Sequence, residues 1–206
     1  MHPFNLAACG WPELTALAGR ADALGIVIGN TRELWPRFVA AARTEPALAA
    51  AAHPLDQYVT AQLSRIAEVD DLRVIFSHVT EPAAFPIQRL AERVGLAALS
   101  PSHLAIHPQH GPWFGLRAVL VAAIEGPPST PRPASPCASC SAPCVPALER
   151  ALAVSGSPLS SAAITRHAAA WIAVRDACPI GRASRYSDAQ LDYHYAPAAR
   201  KLAQGS

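Results

Sequence analysis

The stretch Leu104-Ala-Ile-His-Pro-Gln-His-Gly-Pro-Trp-Phe-Gly-Leu-Arg-Ala-Val-Leu-Val-Ala-Ala-Ile124 decides the fold. Two apolar runs, residues 104–108 and 113–124, flank a turn at Gln109-His110-Gly111-Pro112, a pattern that predicts antiparallel strands. The second run suits a buried strand, interrupted only by Arg117. Upstream, residues 26–30 read as a short strand and residues 33–42 as a helix. Residues 54–69 read as a second helix, with Leu55, Val59, Leu63 and Ile66 on one face. Residues 72–79 return to a strand pattern, and Pro86 opens a helix over 87–94 that Gly95 stops. Downstream, the proline- and serine-rich residues 126–136 are a connector. Helices follow over 145–154 and 160–175, the latter capped by Ser160 or Ser161. Residues 187–204 read as a helical pair interrupted at Pro197. There is no internal repeat. Strands and helices mix without strict alternation, which predicts an α+β sandwich rather than a doubly wound sheet.

The 206 residues are enough for one domain with a full core. No apolar run approaches the roughly 18 residues of a spanning helix. The amino terminus lacks a basic segment leading into an apolar one, so a cytoplasmic protein without a membrane partner is expected. The formal net charge of +2 is scattered. Without a dense Lys/Arg stripe, a nucleic-acid partner is not expected. Lys201 is the only lysine, so the cationic chemistry is nearly all arginine, which suits bidentate recognition of carboxylates and phosphates.

Four cysteines form the second informative pattern. Cys137, Cys140 and Cys144 stand in close file, and Cys178 is followed at once by Pro179. Three thiolates on a tight turn with a distant fourth match what a zinc ion or a 4Fe-4S cluster requires. In a reducing compartment such cysteines serve metals more often than disulfides. The Cys-Pro step favours iron-sulfur. The Cys-x2-Cys-x3-Cys spacing departs from the ferredoxin run, and zinc stays open as the alternative. Cys9 stands apart and reads as a buried small residue. The organisation expected is therefore a core of residues 1–126 and 145–206, with 127–144 and Cys178 forming a metal segment, effectively one domain.

Other residues carry two readings each. His107 and His110 are candidates for reaching a bound metal or for capping the turn. Trp113 and Phe114 are neighbours, so one packs inward while the other is available to a ligand. Arg117, amid Leu116, Val119 and Leu120, needs a partner because an unpaired buried guanidinium costs several kcal/mol. An acid such as Asp56 or Asp188 would supply one.

The segment from Ala105 to Val121 resembles the signature of the cobalamin-processing CblC proteins, the family disrupted in methylmalonic aciduria and homocystinuria type C. The resemblance rests on His107-Pro108, Gly111, Trp113-Phe114 and Arg117. Two further blocks follow in register: His53-Pro-Leu-Asp-Gln-Tyr-Val59, which carries Gln57, and Arg185-Tyr-Ser-Asp-Ala-Gln190. Together the likeness spans roughly residues 26–204. It implies a nitroreductase-like sandwich of a mainly antiparallel sheet with flanking helices, holding cobalamin with its lower base displaced. It makes Gln57, His107, Pro108, His110, Gly111, Trp113 and Phe114 candidate cobalamin contacts. It makes Arg117 and Arg185 candidate catalytic residues that receive glutathione carboxylates. Animal members of the family lack the cysteine set, so the metal site does not come from this resemblance. Epoxyqueuosine reductases and reductive dehalogenases share this core and continue into iron-sulfur modules in the same order. A homodimer is a further expectation, since nitroreductase-like folds often pair.

These readings combine into one leading expectation. The protein reduces cob(III)alamin and removes its upper ligand, with electrons relayed from a flavoprotein or flavodoxin through a cluster on the four cysteines. A cobalamin carrier or sensor with a structural zinc is the alternative. A nitroreductase-like flavoenzyme ranks third, because no flavin-phosphate motif is evident.

Overall fold

The computed structural model describes residues 1–69, 72–81, 83–129 and 131–195, which gather into two compact units. The first consists of Met1–Asn30, Ala50–Ala97 and Gly115–Ala134. Its centre is a four-stranded sheet of β1 (His2–Asn5), β2 (Ala23–Asn30), β3 (Arg73–Phe76) and β6 (Gly115–Glu125). The order is β1-β2-β6-β3, and every neighbouring pair is antiparallel. Val119 of β6 lies opposite Val27 of β2 and Ile75 of β3. Val119 and Val121 pack with Phe4, Leu14, Val27 and Leu90 in one core. Ala118 and Leu120, on the opposite face, are buried as well. Burial of both faces is why β6 reads as a continuous apolar run instead of an alternating one.

The helices of this unit follow from local punctuation. Between β1 and β2 lie α1 (Leu6–Cys9) and α2 (Pro12–Ala18). Asn5 caps α1 by accepting from the Ala7 N–H, and left-handed Gly10 and Gly19 end the two helices. The long α5 (Pro54–Val69) buries Leu55, Val59 and Leu63 at helical spacing, whereas Ile66, expected on the same face, is largely exposed. After Pro86, α6 (Ile87–Arg93) buries Ile87, Leu90 and Ala91 and ends at Gly95, which has φ 80°.

The second unit consists of Thr31–Ala49, Ala98–Phe114 and the described part of Ser135–Ser206. It opens with α3 (Leu34–Thr44) and the short α4 (Pro46–Ala49), and Phe38 of α3 is fully buried beside Trp35 and Tyr193. A small antiparallel pair, β4 (Ala98–Leu99) and β5 (Ala105–Ile106), follows. Then come α7 (Cys144–Ser155), α8 (Ser161–Arg166), α9 (Ala168–Asp176), a 3-10 turn (Arg182–Ser184) and α10 (Asp188–Tyr195). The Ser160 side chain accepts from the Ala163 N–H and caps α8.

Two expectations change. The two runs flanking the Gly-Pro turn do not pair as one hairpin. β5 pairs with β4, and the turn is closed only by the isolated bridge between His107 and Gly111. The next rung outward would need the Trp113 N–H, which instead donates to His110 O at 3.0 Å, so the ladder stops at that bridge. The helix expected over 160–175 is two, because His167 leaves the helical region at φ −110°, ψ 32°. Of the expected helical pair over 187–204, α10 is present and residues 196–204 lie outside the described residues. The α+β class and the antiparallel sheet with flanking helices stand. Among the described residues no helix is long and apolar enough to cross a membrane.

The core of the first unit predicts a contrast between two leucines. Leu90→Ala, at a fully buried site, should cost about 2–5 kcal/mol by cavity formation. Leu17→Ala on α2, at an exposed site, should stay within about 0.5 kcal/mol. Urea unfolding of the two variants measures the difference.

Candidate functional site

The cysteines come together in the second unit. Pro136 precedes a tight turn in which Cys140 N–H donates to Cys137 O at 3.2 Å, and Cys137 N–H donates to Ser135 Oγ at 3.2 Å. Ala142 takes a positive φ of 53°, and the chain then enters α7 at Cys144. Cys178 lies just beyond the end of α9, where its N–H donates to Arg175 O at 3.1 Å. Cys137, Cys140, Cys144 and Cys178 all line one cavity, whose remaining wall includes Leu104, Ile106, Val174 and Ile180 and no charged side chain. None of the cysteines forms a disulfide.

The electrostatics fit that enclosure. Burial raises the Cys137 thiol above its ordinary range, with further increments from Cys178, Cys140 and Cys144. Burial also raises Cys178, against the opposing effect of an Ile180 N–H that donates to its sulfur. An N–H aimed at sulfur stabilises the thiolate, the form that ligates metals. Among the described residues, no three of His, Cys, Asp and Glu close on one point tightly enough to hold a metal ion. The feature present is thus a cysteine-lined cavity, and the expected metal centre is not formed in it.

The same unit holds the histidine turn. Its ends are tied twice, His107 N–H to Gly111 O at 2.9 Å and Gly111 N–H to His107 O at 2.8 Å. His107 Nδ1 accepts from the N–H groups of Gln109 (3.1 Å) and His110 (3.3 Å). That ring therefore caps the turn, and in the neutral form its proton resides on Nε2. His110 Nδ1 meets Ser184 Oγ at 2.9 Å. The two imidazoles lie 4.7 Å apart between centroids, and Phe114 packs edge-on to His107 at 5.6 Å. Trp113 is buried against Tyr186, whereas Phe114 is half-buried and Pro108 exposed. Of the two adjacent aromatics, Trp113 is the inward one.

The two arginines sit in different units, and each has carboxylate partners. In the first unit, Arg117 Nε donates to Asn30 Oδ1 at 2.5 Å, and its Nη1 lies 3.5 Å from Asp56 Oδ1. Gly115 leaves room for that side chain, since a Cβ there would stand 3.2 Å from the guanidinium. Gln57, next to Asp56 on α5, is exposed. In the second unit, Arg185 grips Asp176 with Nε at 2.7 Å and Nη2 at 3.3 Å, and Asp188 with Nη1 at 3.2 Å. Asp176 is the main cause of its raised pKa. Its guanidinium also lies 5.6 Å from the Trp113 ring centroid.

Several partners escaped the sequence reading: Asn30 for Arg117, Asp176 for Arg185, Ser184 for His110, and the Ile180 N–H for Cys178. Only the last had a local signal. Gly181, three residues after Cys178, takes φ 72°, and a glycine there lets the chain fold back over the sulfur.

No protein-family model matches the chain, and no curated protein matches its sequence. Among solved structures, the fold is similar to that of the C. elegans B12-trafficking protein CblC, described as a human MMACHC homologue. The TM-score is 0.65 at 15% identity, over 98% of this chain and 86% of that one. At that identity the likeness establishes a CblC-like fold.

Thiol chemistry offers a test of the cavity. Because burial raises Cys137 and Cys178 above the ordinary thiol value of 9.0, both are neutral thiols near pH 7 and become nucleophilic only as pH rises. Carboxymethylation of metal-free protein, mapped by peptide mass spectrometry, should accelerate at these residues up to and past about pH 9. A rate that levels off below neutrality would contradict the burial argument.

Proposed function

We propose that this protein binds cobalamin as its substrate, reduces cob(III)alamin and removes the upper axial ligand. The observation that carries the proposal is the CblC-like fold spanning 98% of the chain, together with the His-Pro, Gly, Trp-Phe and Arg residues of the CblC signature. The structural neighbour is described as a B12-trafficking protein, and cobalamin comes to this chain from that description. In this reading the His107–Gly111 turn and Phe114 are ligand contacts backed by Trp113, and Gln57 is a separate candidate contact.

The cysteine cavity is assigned to electron delivery. Sulfur-only donors in an apolar wall suit an iron-sulfur cluster, and Cys137, Cys140, Cys144 and Cys178 are its ligands in this proposal. Such a cluster, when bound, supplies one-electron transfer from a flavoprotein or flavodoxin donor. The protein's own part is to line the cavity with uncharged side chains and to aim the Ile180 N–H at Cys178. The arginine geometry separates two routes of ligand removal. Arg185 is already held by two carboxylates, an arrangement that competes with capture of a glutathione carboxylate and favours reductive removal.

Anaerobic incubation with cyanocobalamin and a chemical reductant tests the proposal by visible spectroscopy. The expected result is conversion to the cob(II)alamin spectrum, at a rate reduced about tenfold or more in Cys140→Ser if one ligand of the relay is lost. An unchanged cyanocobalamin spectrum would overturn the reductase reading. Metal analysis of the same sample should find iron and acid-labile sulfide, and one zinc without sulfide would favour the carrier reading instead.

A further inference from the structure

The loop ahead of α7 holds two cysteines at the corners of one hydrogen-bonded turn. Cys140 N–H donates to Cys137 O at 3.2 Å. The two are therefore the first and fourth residues of a β-turn, whose Cα atoms stand less than about 7 Å apart. A disulfide spans Cα separations of about 4.4–6.8 Å, so the backbone places this pair within bridging reach. The turn is held by bonds of its own. Ala138 N–H donates to Ser135 O at 3.0 Å in an overlapping turn, and Ser135 Oγ accepts from the Cys137 N–H at 3.2 Å. Cys137 and Cys140 are half-buried and line the same cavity, whereas Cys9, Cys144 and Cys178 are buried. Cys144 opens α7 beyond the left-handed Ala142, and Cys178 follows α9, so neither shares the turn. Among the described residues no three metal-ligating side chains converge, but a disulfide needs only two.

We propose that Cys137 and Cys140 form a redox-active dithiol that exchanges with small, uncharged disulfides. The proposal goes beyond the cobalamin reading and requires neither corrinoid nor metal. One thiolate of the pair attacks a sulfur of the substrate disulfide. A mixed disulfide forms, and the other half of the substrate leaves as a thiolate that takes up a proton. The second cysteine, as thiolate, attacks the protein sulfur of the mixed disulfide and expels the remaining half, which is protonated in turn. The protein loses two electrons and two protons, and the substrate gains both and leaves as two thiols. The second step closes a short ring whose ends the turn already holds together, so its entropic cost is small. The cavity wall sets the substrate class. Its side chains, among them Leu104, Ile106 and Val174, carry no charge, so an anionic disulfide would lose hydration there without gaining a cationic partner.

The test uses full-length, metal-free, reduced protein and bis(2-hydroxyethyl) disulfide under argon. Thiols still free are alkylated with one reagent, those released by later reduction with another, and fragmentation mass spectrometry assigns the labels. A single disulfide per chain is expected, with the second label on Cys137 and Cys140 and the first on Cys9, Cys144 and Cys178. Cys140→Ser should stop at a mixed disulfide of 2-mercaptoethanol with Cys137. Its turnover with excess dithiothreitol should fall about tenfold or more, while Cys9→Ser keeps the full rate. The second label on any other pair, or a bridge between two chains, would overturn the assignment. So would wild-type protein in which every cysteine carries the first label. Corrinoid and metal take no part, so failure here leaves the cobalamin reading standing, and failure of that reading leaves this result unaffected.

Discussion

Two turns meet backbone to backbone at Gly111 and Gly181, and the arrangement of the second unit's chemistry depends on that contact. Either glycine replaced by a residue with a Cβ would drive carbon into a carbonyl group at about 2 Å. With both glycines in place, the histidine turn is closed by its two backbone bonds, His107 satisfies two of its amides, and His110 reaches Ser184. On the far side of the contact lies Cys178 with its N–H···S bond. The turn that carries the CblC-like signature and the loop that carries the remote cysteine are thus two parts of one packed object.

Charge is handled differently in each unit. Arg117 enters a strand that is otherwise continuously apolar and is accommodated by Asn30, Asp56 and the missing side chain of Gly115. That is the outcome expected for a guanidinium that stays charged, because leaving it unpaired costs several kcal/mol. Arg185 is more exposed, and its Nε and Nη2 hold the two oxygens of Asp176 together. It also faces the Trp113 ring, so it braces the aromatic that backs the histidine turn. Both arginines therefore have a structural task, whatever they later meet in a ligand.

Much of the fold was legible because its signals are local. Pro86 and Gly95 bracket α6, Ser160 caps α8, and the two-sided burial of β6 shows as an unbroken apolar run. The elements before residue 23 were not read, because four-residue pieces such as β1 and α1 fall below any periodicity window. Their caps at Asn5, Gly10, Pro12 and Gly19 were nonetheless present. The hairpin expected around Gly111 failed because the Trp113 N–H turns back to His110 O, a local hydrogen bond that apolar patterning does not show. The cysteines were identified by spacing, and the structure gathers them on one cavity. The contact between the Cys178 loop and the histidine turn was not legible, since Gly111 and Ile180 meet only through tertiary packing. The same holds for Arg117 with Asn30 and for His110 with Ser184, which are 87 and 74 residues apart.

Corrinoid binding is the proposed property on which the proposed chemistry of this fold rests. Equilibrium dialysis of the full chain against hydroxocobalamin, with the retained corrinoid read by its absorption, tests it most directly. Saturable binding is expected near one corrinoid per chain, with a dissociation constant in the micromolar range or tighter, about 8 kcal/mol of binding free energy. Retention no greater than that of an unrelated protein at the same concentration would contradict it.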